Sequence, residues 1–366
     1  MKHDNARSVQ ILKTLKDELL KGRYSKAGVF PSEIALARRF GVSRSMMTSV
    51  VNELEKQRFV SRSQGRRTVV TRQGRSRLIG LVIPGVSYSS SYFQKIIAAL
   101  IKEAQKSDYS IIVDGVWTDD ADGNGREAVE VAARLIRRKA AGVVYQPVEY
   151  SKISGEVNRR VLSAFSRAHI PVVLLDSDVV PWPRRSPYDL VSIDDVAAGM
   201  VLADLMMGGG ARNVHFITRL LVDNVNNRIR GVRDAVLERG LKWSDSHVSV
   251  VDPGKPAVIR ALMRRRPRPD ALICESGTLA AELMVILNKL GYTVPKDVQI
   301  AGFGDRDCSR QFMPALTMIA QPGAELATAA FGLLMERMRN PLAVPTHKVL
   351  PFVLDEKGST RKEPRR

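Results

Sequence analysis

From residue 78 onward, short apolar runs rich in β-branched residues alternate with longer amphipathic segments. Helical spacing of apolar residues predicts helices in segments such as FQKIIAALIKEAQKS, NNRIRGVRDAVLERG and GTLAAELMVILNKLG. Nine runs are predicted to be strands: LIGLVIP, SIIVDG, AGVVYQP, PVVLLDS, LVSID, NVHFIT, VSVVD, ALICES and VQIAGF. Buried strands joined by helices indicate parallel sheets wrapped by helices, which is a doubly wound α/β fold.

This region of about 280 residues is longer than one hydrophobic core supports, so two similar lobes are predicted. In doubly wound sheets, ligands bind beyond the carboxyl ends of the strands, which here places a ligand cleft between the lobes. The glycines of MMGGGARNV follow a helix and precede a strand, the reverse of the dinucleotide-binding order. We therefore interpret residues 208–210 as a helix stop.

The first seventy residues predict a separate, smaller domain. A helix is expected over residues 7–21, with Gly22 as its stop, and a second helix starts at Pro31 and Ser32. A tight turn then leads to a third helix capped by Ser43. Two short helices joined by a glycine-containing turn indicate a helix-turn-helix. The stretch FVSRSQGRRTVV alternates and turns at Gln64-Gly65, which predicts a two-stranded wing.

The apolar stripe of the third helix leaves Arg44, Ser45 and Thr48 near its exposed N-terminal end. Side chains at that end of a helix meet base edges in a major groove, and the free amides favour phosphate. The basic wing, with Arg62, Arg66 and Arg67, would lie close to the DNA backbone or minor groove. The candidate DNA-binding residues are Ser32, Ser43, Arg44, Ser45, Thr48, Gln64, Gly65 and Arg66.

Net charge supports this interpretation through its distribution. Of the total of +19, residues 1–77 carry +12, from 18 Lys and Arg against 6 Asp and Glu. A basic patch attracts polyanions, so double-stranded DNA is the expected partner; a merely solvated basic surface is the alternative. The basic residues 357–366 lack large apolar side chains and are expected to form a disordered tail.

Several classes of protein are not indicated. Only two cysteines occur, Cys274 and Cys308, at no metal-ligand spacing, so neither a disulfide framework nor a metal or cofactor site is predicted. No catalytic motif is found, which argues against an enzyme. The polar N-terminus has no apolar export signal and no segment is apolar enough to span a membrane, so a cytoplasmic protein without a membrane partner is expected.

The segment FPSEIALARRFGVSRSMMTSVVNELEKQRFVSRSQGRRTVV resembles the GntR-type winged helix over residues 7–71. The resemblance implies that Arg44 and Ser45 contact bases or phosphates and that Gln64-Gly65 forms the wing tip. The family's arginine after Ser-Glu is Ile34 here, so one expected DNA contact is missing and the operator sequence does not carry over.

Residues 78–356 resemble the effector domain of the LacI/GalR family, which is related to periplasmic sugar-binding proteins. The resemblance is carried by LIGLVIPG, AGVVYQP, IPVVLLDSD, VSIDDVAAGMVLADLM, RNVHFITR, NNRIRGVRDAV, GYTVPKDVQIAGFGD and MPALTMIAQP. A GntR-type reader joined to such a sensor is similar to the arabinose-repressor-like subgroup. That subgroup implies a homodimer on a palindromic operator and a small-molecule effector, usually a sugar.

The effector resemblance also implies pocket residues. Arg228, in RIRG, matches the family's ligand-binding arginine, whose guanidinium grips paired hydroxyls or a carboxylate. For Asp176 a loop cap is the alternative, and for Tyr92 a packed core aromatic. Ser276-Gly277 and Gly304 replace polar residues of the family, which changes the preferred ligand. The candidate ligand-binding residues are Ser91, Tyr92, Asp176, Asn224, Arg228, Ser276 and Asp305.

These observations predict a ligand-responsive DNA-binding regulator, a repressor of a carbohydrate-related operon. Its parts are a winged helix over residues 1–71, a linker over 72–77, a sensor over 78–356 and the tail. Two alternatives remain. One is a regulator whose sensor no longer responds to a small molecule and serves mainly for dimerisation. The other is a soluble sugar-binding protein or enzyme that its basic N-terminus docks to nucleic acid.

Overall fold

A computed structural model describes residues 2–20, 23–24, 29–57, 59–62, 67–71, 77–83, 91–114, 121–149, 153–252, 255–306 and 312–361. The helices are α1 (Lys2–Leu20), α2 (Glu33–Phe40), α3 (Arg44–Lys56), α4 (Ser91–Lys106), α5 (Ala121–Arg137), α6 (Ser154–Arg167), α7 (Asp195–Gly208), α8 (Asp223–Glu238), α9 (Pro256–Met263), α10 (Gly277–Lys289) and α11 (Gly323–Arg339). The strands are β1 (Val60–Ser61), β2 (Val69–Val70), β3 (Leu78–Val82), β4 (Ser110–Val113), β5 (Gly142–Tyr145), β6 (Val172–Leu175), β7 (Asp189–Ile193), β8 (Val214–Thr218), β9 (Val248–Val250), β10 (Ala271–Cys274), β11 (Gln299–Gly304), β12 (Thr317–Ala320), β13 (His347–Leu350) and β14 (Val353–Asp355).

The N-terminal domain contains the predicted helix-turn-helix. Gly41 ends α2 in the left-handed conformation, with φ of 61°, and this turn leads directly into α3. Helix α3 buries Met47, Val50, Val51 and Leu54. Strands β1 and β2 pair antiparallel as a short ribbon. The predicted wing turn at residues 64–65 lies outside the described residues.

Helix α1 begins at Lys2, five residues earlier than predicted. The apolar pattern that predicts this helix starts only at Ile11, because residues 2–6 are polar or small. Gly22, the predicted stop, lies outside the described residues.

Two six-stranded sheets form the lobes of the larger region. The N-terminal lobe has the strand order β4-β3-β5-β6-β7-β13, and all of its neighbouring strands are parallel. The C-terminal lobe has the order β9-β8-β10-β11-β12-β14, in which only β14 is antiparallel to its neighbour. The nine predicted strands are β3 to β11, so the doubly wound, two-lobed fold is confirmed.

The chain passes between the lobes three times. The crossings lie between β7 and α7, between β12 and α11, and between β13 and β14. Helix α11 returns to the N-terminal lobe, where it packs on α4 and on strands β5 to β7. These three connections between the lobes form a hinge. Opening of the cleft would turn one lobe against the other about them.

Helices α7 and α8 of the C-terminal lobe pack backbone against backbone. A Cβ at Gly199 would lie 2.2 Å from the Arg228 carbonyl oxygen, and one at Gly231 would lie 1.9 Å from the Val196 oxygen. No side chain fits at either position, and this contact fixes the placement of Arg228 on α8.

The expected disordered tail is wrong for residues 357–361. Ser359 is fully buried, and its hydroxyl accepts a hydrogen bond from the Thr317 amide at 2.8 Å and donates to the Ile300 carbonyl at 2.6 Å. The small hydroxyl side chains satisfy buried backbone groups of β11 and β12, which apolar patterning does not reveal. Residues 362–366 lie outside the described residues.

Candidate DNA interface and ligand cleft

The N-terminal tip of α3 presents Arg44 and Ser45 to solvent. Arg44 has no ion pair among the described residues, and the Ser45 hydroxyl contacts that of Ser43 at 3.1 Å. An exposed guanidinium beside a helix N-terminus matches phosphate and the guanine edge, so the tip is a candidate DNA contact.

Besides Ser45, the three other predicted DNA-binding hydroxyls also have partners within the domain. Ser32 and Ser43 cap α2 and α3 by accepting hydrogen bonds at 3.2 Å from the amides of Ala35 and Met46. Thr48 donates to Glu33 Oε2 at 2.6 Å, which holds α3 against α2. In this arrangement these side chains position the recognition helix. Gln64, Gly65 and Arg66 lie outside the described residues.

Arg62 takes a different role from the one expected of a wing residue. Its Nε donates to Glu55 Oε2 at 2.8 Å and its Nη1 to Glu33 Oε1 at 3.1 Å. The guanidinium therefore ties the ribbon to α2 and α3. Arg67, at the start of the segment that leads into β2, is exposed.

The structure adds candidates that the sequence reasoning missed. Ser49 and Asn52 are exposed and continue the stripe from Ser45 along α3 at spacings of four and three residues. The sequence did contain this signal, because these residues lie on the face of α3 that its buried apolar residues leave exposed. The Asn52 side chain accepts a hydrogen bond from Arg62, and the Ser49 hydroxyl donates to the Ser45 carbonyl at 3.2 Å, so both are candidates for base contact that have a partner within the domain.

In the second candidate site, the cleft between the lobes, Asp176 lies at the centre of the N-terminal wall. It is buried and accepts hydrogen bonds from the Tyr92 hydroxyl at 3.2 Å and from Gln321 Nε2 at 3.3 Å. Its backbone has a φ of 74°, a left-handed conformation that concentrates at functional sites. Burial raises the pKa of Asp176, and Arg228 opposes that rise. The structure brings together Tyr92 and Asp176, both of which are candidate ligand contacts predicted from the sequence.

Arg228 is buried on the facing wall, in the C-terminal lobe. Its Nε donates to Asp195 Oδ1 and its Nη1 to the Glu275 carbonyl, both at 2.8 Å, while the guanidinium stacks 4.2 Å above the Phe303 ring. Burial raises the pKa of Asp195 to about 6 against the opposing effect of Arg228. These contacts fix the guanidinium plane, as recognition of a ligand requires.

Polar side-chain contacts between described residues join the two lobes across the cleft. Lys95 Nζ lies 2.6 Å from Asp305 Oδ1, and Asn224 Nδ2 donates to Glu149 Oε2 at 3.3 Å. Burial, and then the charge of Asp176, raise the pKa of Glu149 to about 8. Lys95 and Glu149 were missed because neither stands in a motif.

The remaining predicted pocket residues lie at helix starts. Ser91 begins α4 one residue before Tyr92. Ser276 caps α10, because its hydroxyl accepts a hydrogen bond from the Leu279 amide at 3.2 Å. The Ser276 hydroxyl therefore has a structural role that the resemblance did not imply.

A cavity of about 240 Å³ adjoins the cleft. It is lined by Asp176, Asp195 and Asn224 and extends to the loop that carries Trp182 and Arg184. Within the described ranges, no three His, Cys, Asp or Glu side chains are grouped to hold a metal ion. No described helix has the length and apolarity that a membrane span requires.

Helix α11 connects the two candidate sites. At its start a Cβ on Gly323 would lie 3.2 Å from the Tyr92 ring, and at its end Arg339 Nε lies 3.1 Å from Asp17 Oδ1. The Arg339 carbonyl accepts a hydrogen bond from Lys16 Nζ at 2.5 Å. One continuous helix thus contacts both the ligand cleft and α1 of the N-terminal domain.

Known proteins share both parts of this architecture. Residues 7–70 match the model of bacterial regulatory proteins, gntR family, and residues 203–360 match that of the periplasmic binding protein-like domain. The chain is 24% identical over 341 residues to the arabinose metabolism transcriptional repressor of Geobacillus stearothermophilus, with 90% of each protein covered.

Solved structures show the same fold. The transcription regulator CcpA of Lactococcus lactis superposes with a TM-score of 0.66 at 19% identity, covering 78% of this chain and all of that one. A LacI family regulator from Enterococcus faecium with bound ribose superposes with a TM-score of 0.63 at 20% identity, covering 78% and 99%. The chain is therefore a transcription regulator that joins a helix-turn-helix domain matching the gntR family of bacterial regulatory proteins to a region, residues 203–360, that matches the periplasmic binding protein-like domain.

Proposed function

We propose that this regulator is a ligand-responsive repressor of a carbohydrate-related operon and acts in the cytoplasm. Similar proteins support a sugar as the class of effector, since one is a repressor of arabinose metabolism and one solved structure holds bound ribose. Among the described residues, the observation that carries the proposal is α11, which touches Tyr92 in the cleft and Asp17 in the DNA-binding domain.

DNA recognition would use the exposed stripe of α3 in the major groove. Arg44 and Ser45 would contact bases or phosphates at the helix tip, and Ser49 would reach a base edge one turn further on. Residues 64–66 of the wing would contact the minor groove or backbone. Two copies related by two-fold symmetry would read the halves of a palindromic operator, so a homodimer is the proposed active form.

The effector would bind between the lobes and shift the hinge. Tyr92 and Asp176 on one wall and Asn224, Arg228 and Asp305 on the other would hold it by hydrogen bonds. A ligand changes DNA affinity only by its preference for one lobe arrangement, and about 1.4 kcal/mol of preference gives a tenfold effect.

Fluorescence anisotropy with the full-length protein tests this proposal. Labelled fragments of the protein's own promoter are compared with shuffled DNA of equal length, at two salt concentrations, with and without sugars and sugar derivatives. We expect at least tenfold preference for the promoter and a saturable change in affinity with one class of effector. Equal affinity for both DNAs under all conditions would overturn the proposal.

The contacts across the cleft favour a second candidate function, a regulator whose sensor does not respond to a small molecule and serves mainly for dimerisation. Lys95–Asp305 and Asn224–Glu149 join the lobes through the protein's own side chains. If closure needs no ligand, Lys95→Ala changes operator affinity and no effector does. If closure needs a ligand, the effector changes operator affinity in the unaltered protein.

A further inference from the structure

The charged groups of the cleft are unequally paired. Lys95 is paired with Asp305 at 2.6 Å, and Arg228 with Asp195 at 2.8 Å. Each described cation of the cleft is thus already matched by a carboxylate.

Two further carboxyl groups lack a cationic partner among the described residues. Asp176 receives its hydrogen bonds from the neutral groups of Tyr92 and Gln321. Glu149 receives one on Oε2 from the neutral amide of Asn224. The described part of the cleft therefore has more carboxyl groups than cations.

Two buried acceptor atoms mark where this excess is concentrated. Glu149 Oε1 and Asn224 Oδ1 are inaccessible to solvent and have no hydrogen-bond partner among the described residues. The Asn224 side chain is 7% exposed, and its amide is aimed at Glu149 across the cleft. The Ser177 hydroxyl, which is buried beside Glu149, supplies one donor. Leaving a buried acceptor unsatisfied is unfavourable, so the two acceptor atoms call for more donors than this hydroxyl supplies.

We infer that the effector is a polyhydroxylated amine, such as an amino sugar or aminopolyol, whose ammonium group lies between Glu149, Asp176 and Asn224. This inference rests on the proposed function, since it names the chemical class of the ligand for the same cleft. The hydroxyl groups would use Tyr92 and Arg228, as a sugar does in the general proposal.

Charge favours an ammonium over the other polar groups. An ammonium has three donors and no acceptor, which matches two open acceptors and an unpaired carboxyl. Burial and the Asp176 charge disfavour ionised Glu149, as its raised pKa shows, and a cation would remove part of that cost. A carboxylate ligand would add a third like charge, and a neutral hydroxyl would supply one donor without offsetting charge.

The lining of the adjoining cavity is also rich in carboxylates. Besides Asp176 and Asp195, its lining includes the carboxylates of Asp178, Asp194 and Asp223, against the two cations of Arg184 and Arg185. Of these, Asp178 is paired with Arg185 at 3.0 Å. A ligand reaching into this space meets acceptors in excess, which again suits amino and hydroxyl donors.

Calorimetric titration of the full-length protein with matched ligand sets tests the inference. Each set holds a neutral sugar, its amine and its acid: glucose, glucosamine and gluconate; galactose, galactosamine and galactonate; sorbitol, 1-amino-1-deoxysorbitol and gluconate. We expect at least one amine to bind tenfold or more tightly than its neutral parent, and its acid to bind more weakly than that parent.

A matched pair of variants tests the role of the carboxylate. Glu149→Gln should weaken the preferred amine at least tenfold and remove its preference over the neutral parent. Glu156→Gln makes the same change at an exposed position of α6 and should alter neither quantity.

The outcomes separate the inference from the proposed function. If no amine binds more tightly than its neutral parent, or if Glu149→Gln leaves amine affinity intact, the inference is overturned. A neutral sugar that binds best and changes promoter affinity would overturn the inference and support the proposed function. Loss of promoter specificity would instead show in the DNA titration, whatever the ligands do.

Discussion

Arg339, the last residue of α11, lies against the DNA-binding domain, with its Nε 3.1 Å from Asp17 Oδ1. The same helix starts at Gly323, next to Tyr92. Its 17 residues rise about 25 Å, so a hinge movement at one end displaces the other end without an intervening loop. Helix α11 thus provides a physical route from the ligand cleft to α1.

Breaking the Asp17–Arg339 contact should weaken this coupling. Arg339→Ala is expected to reduce the effector-induced change in promoter affinity, by up to about 1 kcal/mol because the pair is partly exposed. Effector affinity should stay within twofold when measured without DNA. The control is Arg239→Ala, which breaks a similarly exposed pair with Asp204 between α7 and α8. An unchanged effector response in Arg339→Ala would exclude this route.

Arg44 should contribute specific DNA affinity without supporting the fold. Its side chain is exposed and has no ion pair among the described residues, so Arg44→Ala should leave the melting temperature unchanged. Loss of one guanidinium contact is expected to reduce promoter affinity by about 1–3 kcal/mol. Anisotropy titration measures the loss, and Arg167→Ala, at an exposed arginine of α6, is the control. Equal affinities of the two variants would contradict the role of Arg44.

The strands that are buried on both faces were predictable from the sequence. Runs such as GVVY of β5 and VVLL of β6 are apolar throughout, because helices cover both faces of the sheet. Strands β13 and β14 were not predictable. They are short and mostly exposed, and β13 pairs with β7 across more than 150 residues of sequence, which no local pattern encodes.

The residues of the cleft likewise include some that were predictable from the sequence and some that were not. Asp176 and Arg228 stand in segments whose order resembles a known family, so they were predictable. Lys95 and Glu149 were not, because their partners Asp305 and Asn224 lie 210 and 75 positions away. Only the closing of one lobe on the other brings these pairs together.

Arg228 has a structural role in addition to its proposed ligand contact. Arg228→Ala would leave Asp195 buried without its partner, so it should destabilise the fold by about 3–5 kcal/mol. Arg228→Lys keeps the charge but loses the fixed, forked geometry. We expect the lysine variant to fold and to lose at least tenfold in effector affinity, as calorimetry and urea denaturation would show. A lysine variant with normal effector affinity would contradict the pocket assignment.

Glu149 should make the stability of the ligand-free protein depend on pH. Its pKa of about 8 in the folded state exceeds its ordinary value of 4.5, so the folded state binds more protons between these two pH values. The free energy of unfolding therefore falls as pH rises from about 4.5 to 8. Burial, Asp176 and Asp195 disfavour ionised Glu149, and the Ser177 hydrogen bond and Arg228 offset only part of this effect.

Glu149→Gln removes this titration. Its stability relative to the unaltered protein should increase between pH 5 and pH 8 by about 1–3 kcal/mol, since the Glu149 side chain is only partly buried. Thermal denaturation across that range measures the difference, which corresponds to a few degrees in melting temperature. Glu156→Gln, at an exposed carboxylate, should show a constant difference. A constant difference for Glu149→Gln as well would mean that Glu149 is ionised in the folded protein from pH 5 to pH 8. Another donor or cation would then have to stabilise its buried carboxylate.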